Sequence, residues 1–161
     1  MKRVFITLML VAGFLGFQSA HAQFSAGAGL AYGTDSGVNG DGAIGIQARA
    51  MYQFMENIRG SANFTYFLVD DPVNFSTLNV DGHYLFLNES FLVYALAGLN
   101  LAFVSVDLGA FGDASDSELG LNLGGGIQLP ITDALGLLGE VKYVIGDADQ
   151  LVLTVGAIFG F

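Results

Sequence analysis

The sequence predicts an all-β protein, an eight-stranded antiparallel up-and-down transmembrane barrel. Three observations carry this. Beyond the first 22 residues, the chain divides into eight segments whose apolar residues recur at every second position, with no sustained helical period. Hydrophobic residues make up 53% of the chain and charged residues only 12%, about half the charge of an ordinary soluble domain. Longer polar connections alternate with tight turns, the arrangement of an outer-membrane barrel.

The N-terminus reads as an export signal. Lys2 and Arg3 form a positive region, Val4 to Phe17 is an uncharged apolar run, and "SAHAQ" places Ala20 and Ala22 at the small-residue positions of a cleavage site. This predicts a signal peptide over 1–22, cut after Ala22, and a barrel domain over 23–161. The apolar run is shorter than the ~20 residues a spanning helix needs. There is no Cys, so disulfides cannot hold the fold. Cleavage removes Lys2 and Arg3 and leaves three basic residues against fifteen acidic ones, a net charge of −12. That excludes nucleic acid as a partner.

The segments follow in order. In the first, Phe24, Ala26, Ala28, Leu30 and Tyr32 oppose Ser25, Gly27, Gly29 and Ala31. In the second, Ile44, Ile46, Ala48, Ala50, Tyr52 and Phe54 oppose Gly45, Gln47, Arg49, Met51 and Gln53. The third sets Ala62, Phe64, Tyr66 and Leu68 against Ser61, Asn63, Thr65 and Phe67, and the fourth sets Leu78, Val80, Tyr84 and Phe86 against Thr77, Asn79, Asp81 and His83. In the fifth, Val93 to Phe103 alternate against Gly98 and Asn100. The sixth alternates Leu119, Leu121, Leu123, Ile127 and Leu129 with Gly120, Asn122, Gly124, Gly126 and Gln128. Val141, Tyr143 and Ile145 oppose Glu140 and Lys142, and the last segment carries Leu151 through Phe161. Longer loops fall at 33–42, 69–75, 106–117 and 146–149, and tight turns near 55–58, 88–90 and 130–134.

A soluble eight-stranded barrel alternates in the same way with its faces exchanged. Charge and aromatic placement decide. Arg49, Arg59 and Lys142 all lie on polar faces, whereas a soluble barrel would carry many more bases outside. Ten of the fifteen acids fall in the four longer loops or, for Glu118, directly beside one. Phe24, Tyr52, Phe54, Tyr84, Phe86, Phe91, Phe159 and Phe161 gather near the short-turn end, and Tyr32, Tyr66, Phe75 and Phe103 near the other. Two such belts match the aromatic girdles of a membrane barrel, so the apolar faces meet lipid.

The signal segment with "AHAQ", the central "LNVDGHYLF" and "YALAGLNLAF", and the final "GEVKYVIGDADQLVLTVGAIFGF" resemble the small eight-stranded outer-membrane barrel family (OmpA/OmpX-like, the outer membrane protein beta-barrel domain group). The resemblance covers the whole mature chain. It implies a monomer in the outer membrane of a Gram-negative bacterium, with the N-terminus in the periplasm and the longer loops outside. Its implied partners are outer-membrane lipid, lipopolysaccharide, periplasmic chaperones and the barrel-assembly machinery. That machinery reads the last strand, which makes Phe159 and Phe161 the assembly signal.

Eight strands leave a lumen just wide enough for side chains. Arg49, Asp81, Glu140 and Lys142 fall at similar heights on inner faces, with Arg59 and His83 nearby. They are expected to form a paired charge layer, because unpaired buried charge is costly. A packed plug is favoured over a gated narrow pore, since the bore is small. His83, Asp81 and a neighbouring Ser61 or Thr65 are the only hint of a nucleophilic triad, as in a lipid A-modifying enzyme. Residues two apart on a strand point in parallel, a poor geometry for an Asp–His contact, so no catalytic residues are expected. "GLNLGGG" lacks the helix a phosphate loop requires. The loop acids Asp113, Asp116, Glu118, Asp147 and Asp149 are candidates for binding a divalent cation, although none matches calcium-loop spacing. No cofactor and no dedicated metal centre are expected. The function expected is a structural or cell-surface interaction role carried by acidic extracellular loops.

Overall fold

A computed structural model describes residues 24–37, 40–87, 90–107, 112–146 and 149–160. The predicted signal segment and Phe161 lie outside these. Eight strands run in chain order: β1 (Phe24–Gly33), β2 (Ala43–Met55), β3 (Ile58–Leu68), β4 (Val73–Leu87), β5 (Leu92–Asp107), β6 (Asp113–Pro130), β7 (Leu135–Ile145) and β8 (Gln150–Gly160). Each pairs antiparallel with the next, and β1 pairs with β8, from Ser25↔Gly160 to Gly33↔Val152. Closure leaves no free strand edge across the apolar band, which a membrane span requires.

The period-two pattern sorts the wall into two faces. Outside, Leu30, Ile44, Ile46, Leu78, Val80, Leu99, Leu121, Leu123 and Val155 are exposed, as lipid-facing residues must be. Near the short-turn end the exposed rings pair edge to face, Tyr52 with Phe54 at 5.0 Å and Tyr84 with Phe86 at 5.1 Å. Tyr32, Tyr66, Phe103 and Tyr143 form the opposite belt.

Two sequence expectations need correction. Phe75 does not join the outer belt. It is 6% exposed and packs inward on Phe67 at 5.2 Å, because β4 starts at Val73 and parity turns Phe75 toward the lumen. The acids Asp107, Asp113, Asp116 and Glu118 are not in a loop but at the ends of β5 and β6. Pairing continues through Val104↔Asp116 to Asp107↔Asp113, and β4 follows β5 as far as Val73↔Val106, because small serines and β-branched valines sustain the sheet beyond the apolar band. Pairing of β6 with β7 begins only at Leu121↔Ile145, so this hairpin end stands above its neighbour. The lumen also carries apolar side chains, as the inner-face placement of Met51 and Phe67 predicts. Met51, Leu85, Tyr94, Leu96, Leu138 and Ile158 cluster toward the short turns. Phe67, Phe75, Ala43 and Ala102 cluster toward the other end, beside Ala31, Val144 and Val152.

Candidate functional site: the lumen network

Between the apolar clusters lies a connected set of polar side chains. Arg49 on β2 and Glu140 on β7 face each other across the lumen in a bidentate ion pair, with Nη1–Oε2 at 2.5 Å and Nη2–Oε1 at 2.6 Å. Parallel N–H···O bonds of this kind are the strongest form of the Arg–carboxylate contact. Gln47 Oε1 accepts from Arg49 Nε at 3.3 Å and from Nη2 at 3.0 Å. The Tyr94 hydroxyl donates to Glu140 Oε2 at 2.6 Å. Tyr94 on β5 reaches β7 because Gly126 stands between them in register and has no side chain. A Cβ at Gly126 would come within 2.4 Å of the Tyr94 hydroxyl oxygen.

The same device serves Asp81. It extends from β4 past Gly98 on β5 to reach Asn122 on β6, whose Nδ2 donates to Oδ1 at 2.7 Å. A Cβ at Gly98 would lie 2.3 Å from that Asp81 oxygen. Asn63 Nδ2 donates to Oδ2 at 3.3 Å. Asn63, Asn79 and Asn100 stand opposite one another in register across β3, β4 and β5. They link by hydrogen bonds of 3.0 Å from Asn79 to Asn63 and 2.7 Å from Asn100 to Asn79. Gln47 joins this ladder through Asn63 and Thr65. Lys142 is different. Its Nζ is 4.0 Å from Asp81 Oδ2, is 2% exposed, and makes no hydrogen bond.

Toward the short turns, Arg59 makes a second cluster. Its Nε and Nη2 lie 3.3 and 3.2 Å from His83 Nδ1, and its Nη1 donates to Gln128 Oε1 at 2.9 Å. An imidazole nitrogen that accepts from a guanidinium carries no proton, so the His83 proton sits on Nε2. The His83 ring stacks on Tyr94 at 4.5 Å, and the Arg59 guanidinium lies 5.1 Å from the centre of the Tyr94 ring.

Asp81 and His83 thus turn to different partners, and the Ser61 hydroxyl has none. Ser61, His83 and Asp81 do not form a hydrogen-bonded chain. Of the acids singled out by sequence, Asp116 is exposed and Asp149 braces its own turn, accepting from Gly146 N at 2.6 Å and Tyr143 at 3.3 Å. Asp147 lies outside the described residues. Among the described residues, no three His, Asp or Glu side chains converge as a metal site would require. Sequence reasoning passed over Tyr94 and the amide ladder. The available signal for both was parity, which puts Tyr94 and the four asparagines on inner faces.

A closed wall with a lipid-facing exterior and a lumen filled by hydrogen-bonded polar groups defines a transmembrane β-barrel of the filled, small-bore kind. The chain belongs to the outer membrane protein beta-barrel domain family, whose profile matches residues 5–159. Its fold is similar to that of Neisserial surface protein A, with a TM-score of 0.70, 22% identity, and coverage of 89% of this chain and 100% of that one. It is also similar to the attachment invasion locus protein Ail of Yersinia pestis, with a TM-score of 0.64, 18% identity, and coverage of 86% and 97%. The N-terminal barrel of Pseudomonas aeruginosa OprF matches with a TM-score of 0.65, 14% identity, and coverage of 86% and 98%. No curated protein sequence matches the chain. The protein is therefore an outer-membrane barrel, and this membership fits a structural or surface role.

Proposed function

We propose that this barrel is a rigid, plugged scaffold that presents an acidic surface at its longer-loop end to cationic partners. One observation carries the reading. Arg49, Arg59 and Lys142 are the only bases among the described residues, and all three are buried in the lumen. The exterior therefore carries no positive side chain there, while Asp35, Asp41, Asp70, Asp71 and Asp116 are exposed at one end. Such a surface attracts basic peptides and repels lipopolysaccharide phosphates unless divalent cations bridge them. Ail has been crystallised with the heparin analogue sucrose octasulfate. The charge here favours partners of the opposite sign.

In this reading, segment 1–22 directs export and is removed, the short turns face the periplasm, and the monomer is inserted by the assembly machinery through its last strand. The barrel in nanodiscs should bind an oligolysine peptide at low salt and release it as salt rises. Converting Asp113, Asp116 and Glu118 to their amides should weaken binding several-fold. Unchanged binding would refute the acidic-surface reading.

The lumen is read as a plug because Arg49, Glu140, Tyr94, Gln47 and the asparagines bond to one another across it and apolar clusters lie toward both ends. Planar-bilayer recording should give no reproducible conductance. A steady conductance altered by Glu140→Ala would establish a gated pore instead.

A further inference from the structure

The lumen's charges do not balance. Its buried ionisable groups include three cations, Arg49, Arg59 and Lys142, and two carboxylates, Asp81 and Glu140, with His83 neutral at its accepting nitrogen. The described residues form two ion pairs, Arg49–Glu140 and Lys142–Asp81. Arg59 is the cation left over. It is 5% exposed, and its contacts are an imidazole, an amide oxygen and a phenol ring. Glu140 cannot serve it, because both Glu140 oxygens are already held by Arg49, one of them also by Tyr94. Three N–H groups of Arg59 are engaged, so two of its five have no partner among the described residues.

Arg59 also lines a cavity. A vestibule of about 190 Å³ opens at the short-turn mouth, walled by Ser25, Gln53, Gln128 and Thr132 together with apolar Leu92 and Ile158. The volume suits a group the size of phosphate or a small carboxylate. The walls supply amide and hydroxyl donors, and the one buried charge on them is positive. Asp133 also borders the vestibule, but it is exposed on its turn and forms no ion pair with Arg59. A desolvated guanidinium without a carboxylate is costly, and an oxyanion bound in the vestibule removes that cost.

We propose that the short-turn vestibule is a binding site for a small oxyanion, a phosphate or carboxylate group held by the two free N–H groups of Arg59. Free phosphate and a phospholipid headgroup bent over the rim share this chemistry. Gln128 fixes the guanidinium from one side and the Tyr94–His83 stack supports it from below, so the site is held ready before the anion arrives.

Titration of the barrel in a phosphate-free, non-ionic detergent tests this, with the Arg59 side-chain N–H resonance as the reporter. Inorganic phosphate should shift that resonance saturably, and Arg59→Met should abolish the response at the neighbouring Gln128 and Thr132 amides. Arg59→Lys keeps the charge and thus the fold but loses the planar fork, so binding should weaken about tenfold. A second arm adds short-chain phosphatidylglycerol. Saturation by phosphate identifies a soluble oxyanion, and saturation by the lipid alone identifies a headgroup. No saturable shift with either, or an equally tight response of the Gln128 and Thr132 amides in Arg59→Lys, would overturn the proposal.

Discussion

The two halves of the charged layer contrast sharply. Glu140 and Lys142 are two residues apart on one face of β7, yet Glu140 meets Arg49 through two short bonds and Lys142 stops 4.0 Å from Asp81. The difference lies in the partners. A planar guanidinium can satisfy both carboxylate oxygens at once, and Tyr94 adds a third donor. Asp81 has already taken the amides of Asn63 and Asn122, so its oxygens are occupied before the ammonium arrives. One half is an ion pair in the strict sense. The other is a carboxylate solvated by amides, with a cation nearby.

Three substitutions separate these halves. Glu140→Gln should have the largest effect, because it leaves Arg49 buried without an anion. A loss of about 3–5 kcal/mol is expected, read from urea unfolding in lipid vesicles by the gel shift between folded and unfolded barrel. Tyr94→Phe removes only the donor to a charged acceptor and should cost about 2 kcal/mol by the same assay. The smallest effect is expected for Lys142→Met, under about 1 kcal/mol. Removing it relieves the desolvation cost of a buried ammonium that makes no hydrogen bond, which offsets the lost attraction, and Asp81 keeps both amide donors. A Lys142→Met cost equal to that of Glu140→Gln would erase the distinction.

The fold was legible because a barrel in lipid repeats one rule eight times. Parity alone assigns Ile46 outward and Gln47 inward, and the tally of segments fixes the strand number. The strand ends were less legible. Asn74, Ser76, Ser115 and Ser117 look like loop residues, yet β4, β5 and β6 continue through them above the apolar band. Inner-face membership was also readable, but contact across the lumen was not. Arg49 and Glu140 are 91 residues apart, and only the stagger of all eight strands decides whether they meet. Tyr94 was missed because an inward aromatic looks like an exception to the alternation. Its reach depends on a bare glycine on the one strand between it and its target.

The seam between β1 and β8 has a consequence for the order of events in assembly. It joins Ala28 to Ala157 and Gly29 to Gly156 at its centre, across almost the full length of the chain. Joining ends so distant forfeits the most chain entropy, and the seam can form only after both strands exist. At the centre of the seam, where alanine meets alanine and glycine meets glycine, backbone hydrogen bonding is what rewards the closure. The first and last strands thus form a zip that shuts late, and the place where the cylinder would part first under load.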